Sequence, residues 1–162
     1  MRKAYRYRLY PSKSQVSLLE QTLEICRWVY NDTLALRKNA WEQEQHSISL
    51  YETNKILTQW KKERPDLNQV HSQVLQNVQM RVDLAFKAFF RRVKAGEKEP
   101  GFPRFKGKGR YDSFTYPQSG FKLEGDRLHL SKIGDVRVVL HRPIEGTIKT
   151  LTIRRSSTGK WY

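Results

Sequence analysis

Cys26 is the single cysteine of the chain, which excludes an internal disulfide and any zinc site built on cysteine pairs. It falls within an apolar helical pattern and is expected in the core. Long hydrophobic runs are missing too. No stretch approaches the ~20 apolar residues of a bilayer span, and the opening Met1-Arg2-Lys3-Ala4-Tyr5-Arg6-Tyr7-Arg8 carries charge where a signal peptide needs an apolar segment. These features predict a soluble, unexported protein with no membrane partner. Negative charge is scarce: 16 Asp and Glu stand against 31 Lys and Arg, for a net charge of +15. A surface of that sign repels itself unless a polyanion binds it, so nucleic acid is the first partner to consider.

Catalytic patterns are equally thin. There is no phosphate-binding loop, nucleophile elbow or dinucleotide fingerprint, and the scattered carboxylates do not outline a two-metal nuclease site. His46, His71, His129 and His141 are widely separated. Only Glu42 with His46 and Asp126 with His129 have helical ligand spacing, which gives two ligands at most. Turn and surface roles account for these residues with fewer assumptions than an acid/base site.

The 162 residues, 38% hydrophobic, suffice for one domain or two small packed modules. Alternation from Arg2 to Tyr10 predicts an opening strand with Tyr5, Tyr7 and Leu9 on one face and Arg6, Arg8 and Tyr10 on the other. Pro11 stops it. Ser12 with Gln15 forms a capping box, and Val16, Leu19, Leu23, Cys26 and Tyr30 predict a long amphipathic helix running through Leu34 toward Trp41. Ser49 with Glu52 opens a second helix bearing Ile56, Leu57 and Trp60, ended by Pro65. Val74, Val78, Val82, Ala85, Phe89 and Val93 make the buried stripe of a third, with Gln73, Gln76, Gln79 and Arg81 partly off it.

After Val93 the composition changes to turn chemistry, then to the aromatic and basic stretch Phe102-Pro103-Arg104-Phe105-Lys106-Gly107-Lys108-Gly109-Arg110. Beyond it short β-type runs, at 113–116, 128–130, 136–140 and 148–153, alternate with turns at Gly120, Gly125, Gly134 and Gly146. An opening strand must pair to satisfy its backbone, and its partners lie about a hundred residues downstream. The reading is therefore an α+β chain: a small β-barrel formed by 1–11 and 111–162, interrupted by a helical module over 12–110 whose last part, 95–110, is a basic connector. The ending Gly159-Lys160-Trp161-Tyr162 has no terminal turn or polar tail and reads as a cut before the natural end.

In the connector, cations alternate with rings on glycine-punctuated backbone, which suits phosphates and bases. Arg104, Lys106, Lys108 and Arg110 are therefore candidate phosphate contacts, whereas Phe102 and Phe105 are open between base stacking and anchoring the loop in the core. Arg6 and Arg8, with Lys149, Arg154, Arg155 and Lys160, extend the positive field, and Tyr5, Tyr7 and Tyr10 are assigned to barrel core or rim. Gln73, Gln76 and Asn77 are open between solvated helix surface and base reading in a major groove.

Five ordered blocks now carry a resemblance: Tyr7-Arg8-Leu9-Tyr10-Pro11-Ser12-Lys13-Ser14-Gln15, Arg27-Trp28-Val29-Tyr30-Asn31, Leu75-Gln76-Asn77, Lys87-Ala88-Phe89-Phe90-Arg91 and Gly101-Phe102-Pro103-Arg104-Phe105-Lys106. In this order and spacing they resemble the N-terminal half of TnpB, the OrfB-type protein of bacterial insertion sequences. The resemblance implies an RNA-guided DNA endonuclease of the kind ancestral to type V CRISPR effectors. It carries a wedge (WED) β-barrel split by a helical recognition (REC) lobe, followed by a RuvC nuclease domain. By that resemblance, this sequence is expected to stop where the nuclease domain should begin. The nuclease, with its Mg²⁺ and Zn²⁺, would then be missing or on a separate chain, leaving guide RNA as the cofactor and double-stranded target DNA as the second partner. By resemblance, Tyr51, Asn54, Ser72, Gln73, Gln76, Thr115 and Tyr116 are candidates for reading a DNA motif beside the target. Arg104, Lys106, Lys108 and Arg110 are candidates for gripping guide RNA or heteroduplex backbone. The expected location is cytoplasmic and nucleoid-associated in a prokaryote. The alternatives are a stand-alone RNA-binding or ribosome-associated protein, and a small metal-independent nuclease using His129 or His141.

Overall fold

A computed structural model describes residues 2–162. Met1, the first residue assigned to the β module, lies outside the described residues. Three helices separate a short first strand from five later ones. β1 is Arg8–Tyr10, α1 Lys13–Glu44, α2 Leu50–Glu63 and α3 Ser72–Lys94; β2 Ser113–Tyr116, β3 Phe121–Glu124, β4 Arg127–Leu130, β5 Gly134–Val139 and β6 Leu151–Arg154 follow.

Both expected capping boxes form. Ser12 accepts from the Gln15 amide while Gln15 accepts from Ser12 N–H, and Ser49 and Glu52 repeat the exchange, satisfying amides that no helical carbonyl can reach. α1 and α3 run in the same direction, because their contacts advance together: Thr33 with Gln79, Arg37 with Asp83, then Trp41 with Phe89 and Phe90. α2 returns between them, and its Thr53 carbonyl accepts from Gln79 Nε2 at 2.8 Å. Gln79 is therefore fully buried, contrary to its expected place beside the stripe. At the other end Val93 is 41% exposed. The stripe stops with Phe89 and Phe90 because Trp41, which covers them, lies in the last turn of α1.

Inside this interface Arg37 Nη1 lies 2.8 Å from Asp83 Oδ1, and both side chains are under a tenth exposed. Burial alone would raise the Asp83 carboxyl, but hydrogen bonds from Arg37 and Lys87 outweigh it and hold the group below the usual carboxylate range.

The strands make two antiparallel sheets, β1-β5-β4-β3 and β2-β6. Trp161 joins them by bridging to Leu9 on one side and Arg155 on the other. Among the described residues no ladder connects β2 to β3, so in place of a closed barrel the β module consists of these two sheets. The first strand is also shorter than its alternation suggests. β5 ends at Val139, opposite Arg8, and residues N-terminal to Arg8 have no ladder to join. Tyr5 and Tyr7 instead stack on each other, and the Tyr7 hydroxyl donates to the Arg142 carbonyl at 2.8 Å. β6 begins at Leu151 rather than Ile148, since its partner β2 ends at Tyr116, before Pro117. β3 was not anticipated: two glycine turns, at Gly120 and Gly125, leave only four residues between them to show alternation.

Candidate nucleic-acid interface

The basic connector is pinned to the helices between Gly101 and Lys106. Phe102 stacks on Phe89 with ring centroids 4.5 Å apart and planes within 18°. Lys38 Nζ lies 5.3 Å from the Phe102 centroid and 5.8 Å from that of Phe105, a ring that is 49% exposed. Four residues on, Asn31 of α1 grips Lys106 through the backbone. Its Oδ1 accepts from Lys106 N–H at 2.8 Å, and its Nδ2 donates to the Lys106 carbonyl at 2.9 Å. Arg27, one helical turn earlier on the same face, donates to that carbonyl at 3.1 Å. A tight turn follows, with Gly109 at φ +74° and Arg110 N–H donating to the Gly107 carbonyl. The result is a fixed backbone from which Arg104, Lys108 and Arg110 project into solvent. Lys106 is half-buried, its ammonium 5.6 Å from the Tyr30 ring. None of the four forms an ion pair among the described residues. Their charge is free for an external anion.

A second polar surface surrounds the start of α3. His71 caps the helix, its Nδ1 accepting from Gln73 N–H. Burial, then the nearby Lys132 and Lys61, push its imidazole below the usual pKa, which keeps Nδ1 free to accept. Ser72 and Gln76 are exposed and Asn77 half-buried. Gln73 is already committed: its Oε1 accepts from both Ser119 N–H, at 3.1 Å, and Ser119 Oγ, at 3.0 Å, tying α3 to the turn before β3. Tyr51 and Asn54 stand further along, at the start of α2, where Thr53 meets the middle of α3 at Gln79; Tyr51 is 68% exposed beneath Lys55, and Asn54 Oδ1 is buried without a partner.

Thr115 and Tyr116 lie beneath this surface. Thr115 Oγ1 accepts from Arg81 Nη2 at 2.9 Å and contacts Thr152 Oγ1, and the Tyr116 hydroxyl donates to the Ser131 carbonyl at 3.0 Å. Both are buried, so their polar groups face other protein groups instead of a ligand. Arg81 also donates to the Tyr111 hydroxyl and the Ser113 carbonyl. One guanidinium thereby fixes the angle between α3 and β2. Arg6 and Arg8 belong to a different face. Arg6 lies 4.0 Å over the Tyr162 ring and Arg8 lies 4.6 Å over that of Tyr10.

Among the described residues no three His, Cys, Asp or Glu side chains gather in a way that could hold a metal ion. His129 pairs with Asp135, near the start of β5, whereas His141 packs on Tyr7 beyond the strand's other end, so the two histidines do not share a site. No helix of the described residues is long and apolar enough to cross a membrane.

Residues 1–46 match a family described as the helix-turn-helix domain of OrfB proteins of the IS605 type. A candidate RNA-guided DNA endonuclease from Streptomyces pristinaespiralis is 32% identical over 168 residues, covering all of this chain. The candidate RNA-guided DNA endonuclease InsQ of Escherichia coli K12 is 34% identical over 163 residues, covering 98% of it. The chain matches the N-terminal part of TnpB/OrfB proteins. It spans about two-fifths of the length of these two relatives, 40% and 39%.

The structure gives the TnpB-like blocks a physical reason to occur together. Block 27–31 supplies Arg27 and Asn31, block 87–91 supplies Phe89, and block 101–106 is the backbone they hold. Three blocks separated in sequence thus build one clamp. The stretch that matches the helix-turn-helix family contains β1 and the uninterrupted α1; the next helix begins beyond it, at Leu50.

Proposed function

We propose that this chain is the part of a TnpB-like RNA-guided DNA endonuclease that binds guide RNA and a DNA motif beside the target. The observation that supports it most is the clamp itself: an unpaired cationic segment held rigidly against α1 and α3, in a chain of net charge +15. Holding the backbone in place before binding lowers the ordering cost of gripping a polyanion. On this reading Arg104, Lys106, Lys108 and Arg110 contact the backbone of guide RNA or of its heteroduplex, where shape and charge dominate. Ser72 and Gln76, with Tyr51 and Asn54 on the adjoining helix, face the DNA motif. Gln73, Thr115 and Tyr116 act one layer below, Gln73 by anchoring the start of α3 to Ser119. WED and REC are the roles assigned to the two-sheet β module and the three helices.

The test is RNA binding measured against salt. Changing Arg104, Lys106, Lys108 and Arg110 together to Ala should lower the salt slope by about three units, at ~0.7–0.9 per phosphate neutralised. An unchanged slope removes the connector from the interface. The unaltered chain should bind RNA without cutting DNA in Mg²⁺. Cleavage abolished by one Asp or Glu substitution within this chain would make it an enzyme in its own right.

A further inference from the structure

The outer face of the four-stranded sheet is charged unevenly. Strand pleating sends Leu9, Leu128, Leu130, Val136 and Val138 into the core and leaves Arg8, Tyr10, Arg127, His129, Asp135 and Arg137 on the opposite side. Toward the start of β5 the charges are matched. His129 Nδ1 lies 2.9 Å from Asp135 Oδ1, and on β3 Lys122 Nζ lies 2.7 Å from Glu124 Oε1.

Across the row that starts at Tyr10 they are not. The register sets Arg137 opposite Tyr10 on one side and opposite Arg127 on the other. Two guanidinium groups therefore face each other on neighbouring strands, an arrangement that destabilises a sheet. Glu124, across from Arg127 on β3, is engaged by Lys122. Among the described residues the only ion pair either arginine makes is the 3.9 Å contact of Arg127 with Asp126.

Beside this pair stands an exposed ring. Tyr10 is 49% exposed, with the Arg8 guanidinium 4.6 Å and that of Arg137 6.0 Å from its centroid. Tyr10, expected in the barrel core or at its rim, lies on the solvent side, the face on which alternation sets it with Arg8. The face therefore offers a ring on which a base can stack and planar cations for phosphates, the combination that single strands use. A duplex keeps its bases stacked inside and would use the cations alone.

We propose that this sheet face binds a segment of single-stranded RNA, with one base on Tyr10 and phosphates at Arg8, Arg127 and Arg137. The proposal rests on the RNA-binding reading above and adds a second site, on the β module. The opposed arginines then have a function: their repulsion is relieved when phosphate enters between them.

Binding of the 162-residue chain to a labelled eight-nucleotide oligouridylate, and to an RNA duplex of the same length, can be followed by fluorescence anisotropy at several salt concentrations. Tyr10→Ala should weaken oligouridylate binding by about 5- to 150-fold and spare the duplex. Tyr10→Phe should keep binding, and Tyr10→Leu, which preserves bulk in the strand, should lose it as alanine does. Arg127→Gln combined with Arg137→Gln should lower the single-strand salt slope by about 1.4, at ~0.7 per phosphate, while the melting temperature holds or rises. A structural role would instead lower stability along with binding. The proposal is overturned if these variants bind oligouridylate like the wild type, or if Tyr10→Ala weakens duplex binding equally. A wild-type chain that binds neither RNA refutes the broader RNA-binding reading. Single-strand binding that disappears with the connector cations but survives the sheet-face variants refutes this site alone.

Discussion

Replacing Asn31 with Ala tests whether the basic connector is held or merely adjacent. The side chain makes two hydrogen bonds to the Lys106 backbone, at 2.8 and 2.9 Å. At ~0.5–1.5 kcal/mol each, they stabilise the closed connector by ~1–3 kcal/mol. Arg27 retains its bond to the Lys106 carbonyl, so the loss should fall in the lower half of that range, ~1–2 kcal/mol, opening the connector about 5- to 30-fold more often. Amide hydrogen exchange reads this directly, because the Lys106 N–H is one of the two bonds. Lys106 should lose protection by that factor while amides in the middle of α1 keep theirs. Asn31→Asp should fall between the two, since a carboxylate still accepts from Lys106 N–H but cannot donate to its carbonyl. RNA affinity should drop in both variants, by less than in the quadruple alanine variant, because the cations remain and only their placement is lost. Unchanged exchange at Lys106, or equal loss throughout α1, would refute the clamp.

Arg37→Leu leaves the Asp83 carboxylate buried with only Lys87, and should cost ~3–5 kcal/mol by denaturant unfolding. Because the folded carboxyl is held low, the pair contributes fully above the unfolded value of ~3.9 and is lost as pH falls through the lower folded value. A melting series from pH 7 to 2 should show that acid-side loss in the wild type and a smaller one in Arg37→Leu. Within a longer, nuclease-containing protein, Gln76→Ala should reduce discrimination at one base of the DNA motif by ~1–3 kcal/mol without weakening guide-RNA binding. Equal loss on every DNA sequence would mark Gln76 as a backbone contact.

Local chemistry was readable in the sequence; registration between distant segments was not. The Ser12–Gln15 and Ser49–Glu52 boxes lie within four residues of chain, and both helices begin where those boxes place them. The length of β1 depends on where β5 ends, which no residue near Tyr10 records. Gln79 looks like helix surface until Thr33 and the Thr53 carbonyl supply partners for its Nε2. Arg27 and Asn31 stood inside a recognisable block, but their bonds to Lys106 cross more than seventy positions. Opposition of Arg127 and Arg137 is likewise a property of the β4–β5 register, invisible in the composition of either strand.

The pairing of β1 with β5 also sets an order of events during synthesis. Tyr10 leaves the ribosome about 130 residues before its partners at the end of β5, a wait of roughly 6 to 26 s at ~5–20 residues per second. The helices can pack during that interval, whereas the first strand can only stay unpaired, an open edge to any neighbouring chain. Arg6 and Arg8 carry like charge along it, and such charge opposes edge-to-edge association. Arg8, whose guanidinium lies over Tyr10 in the finished protein, thus also protects the nascent one.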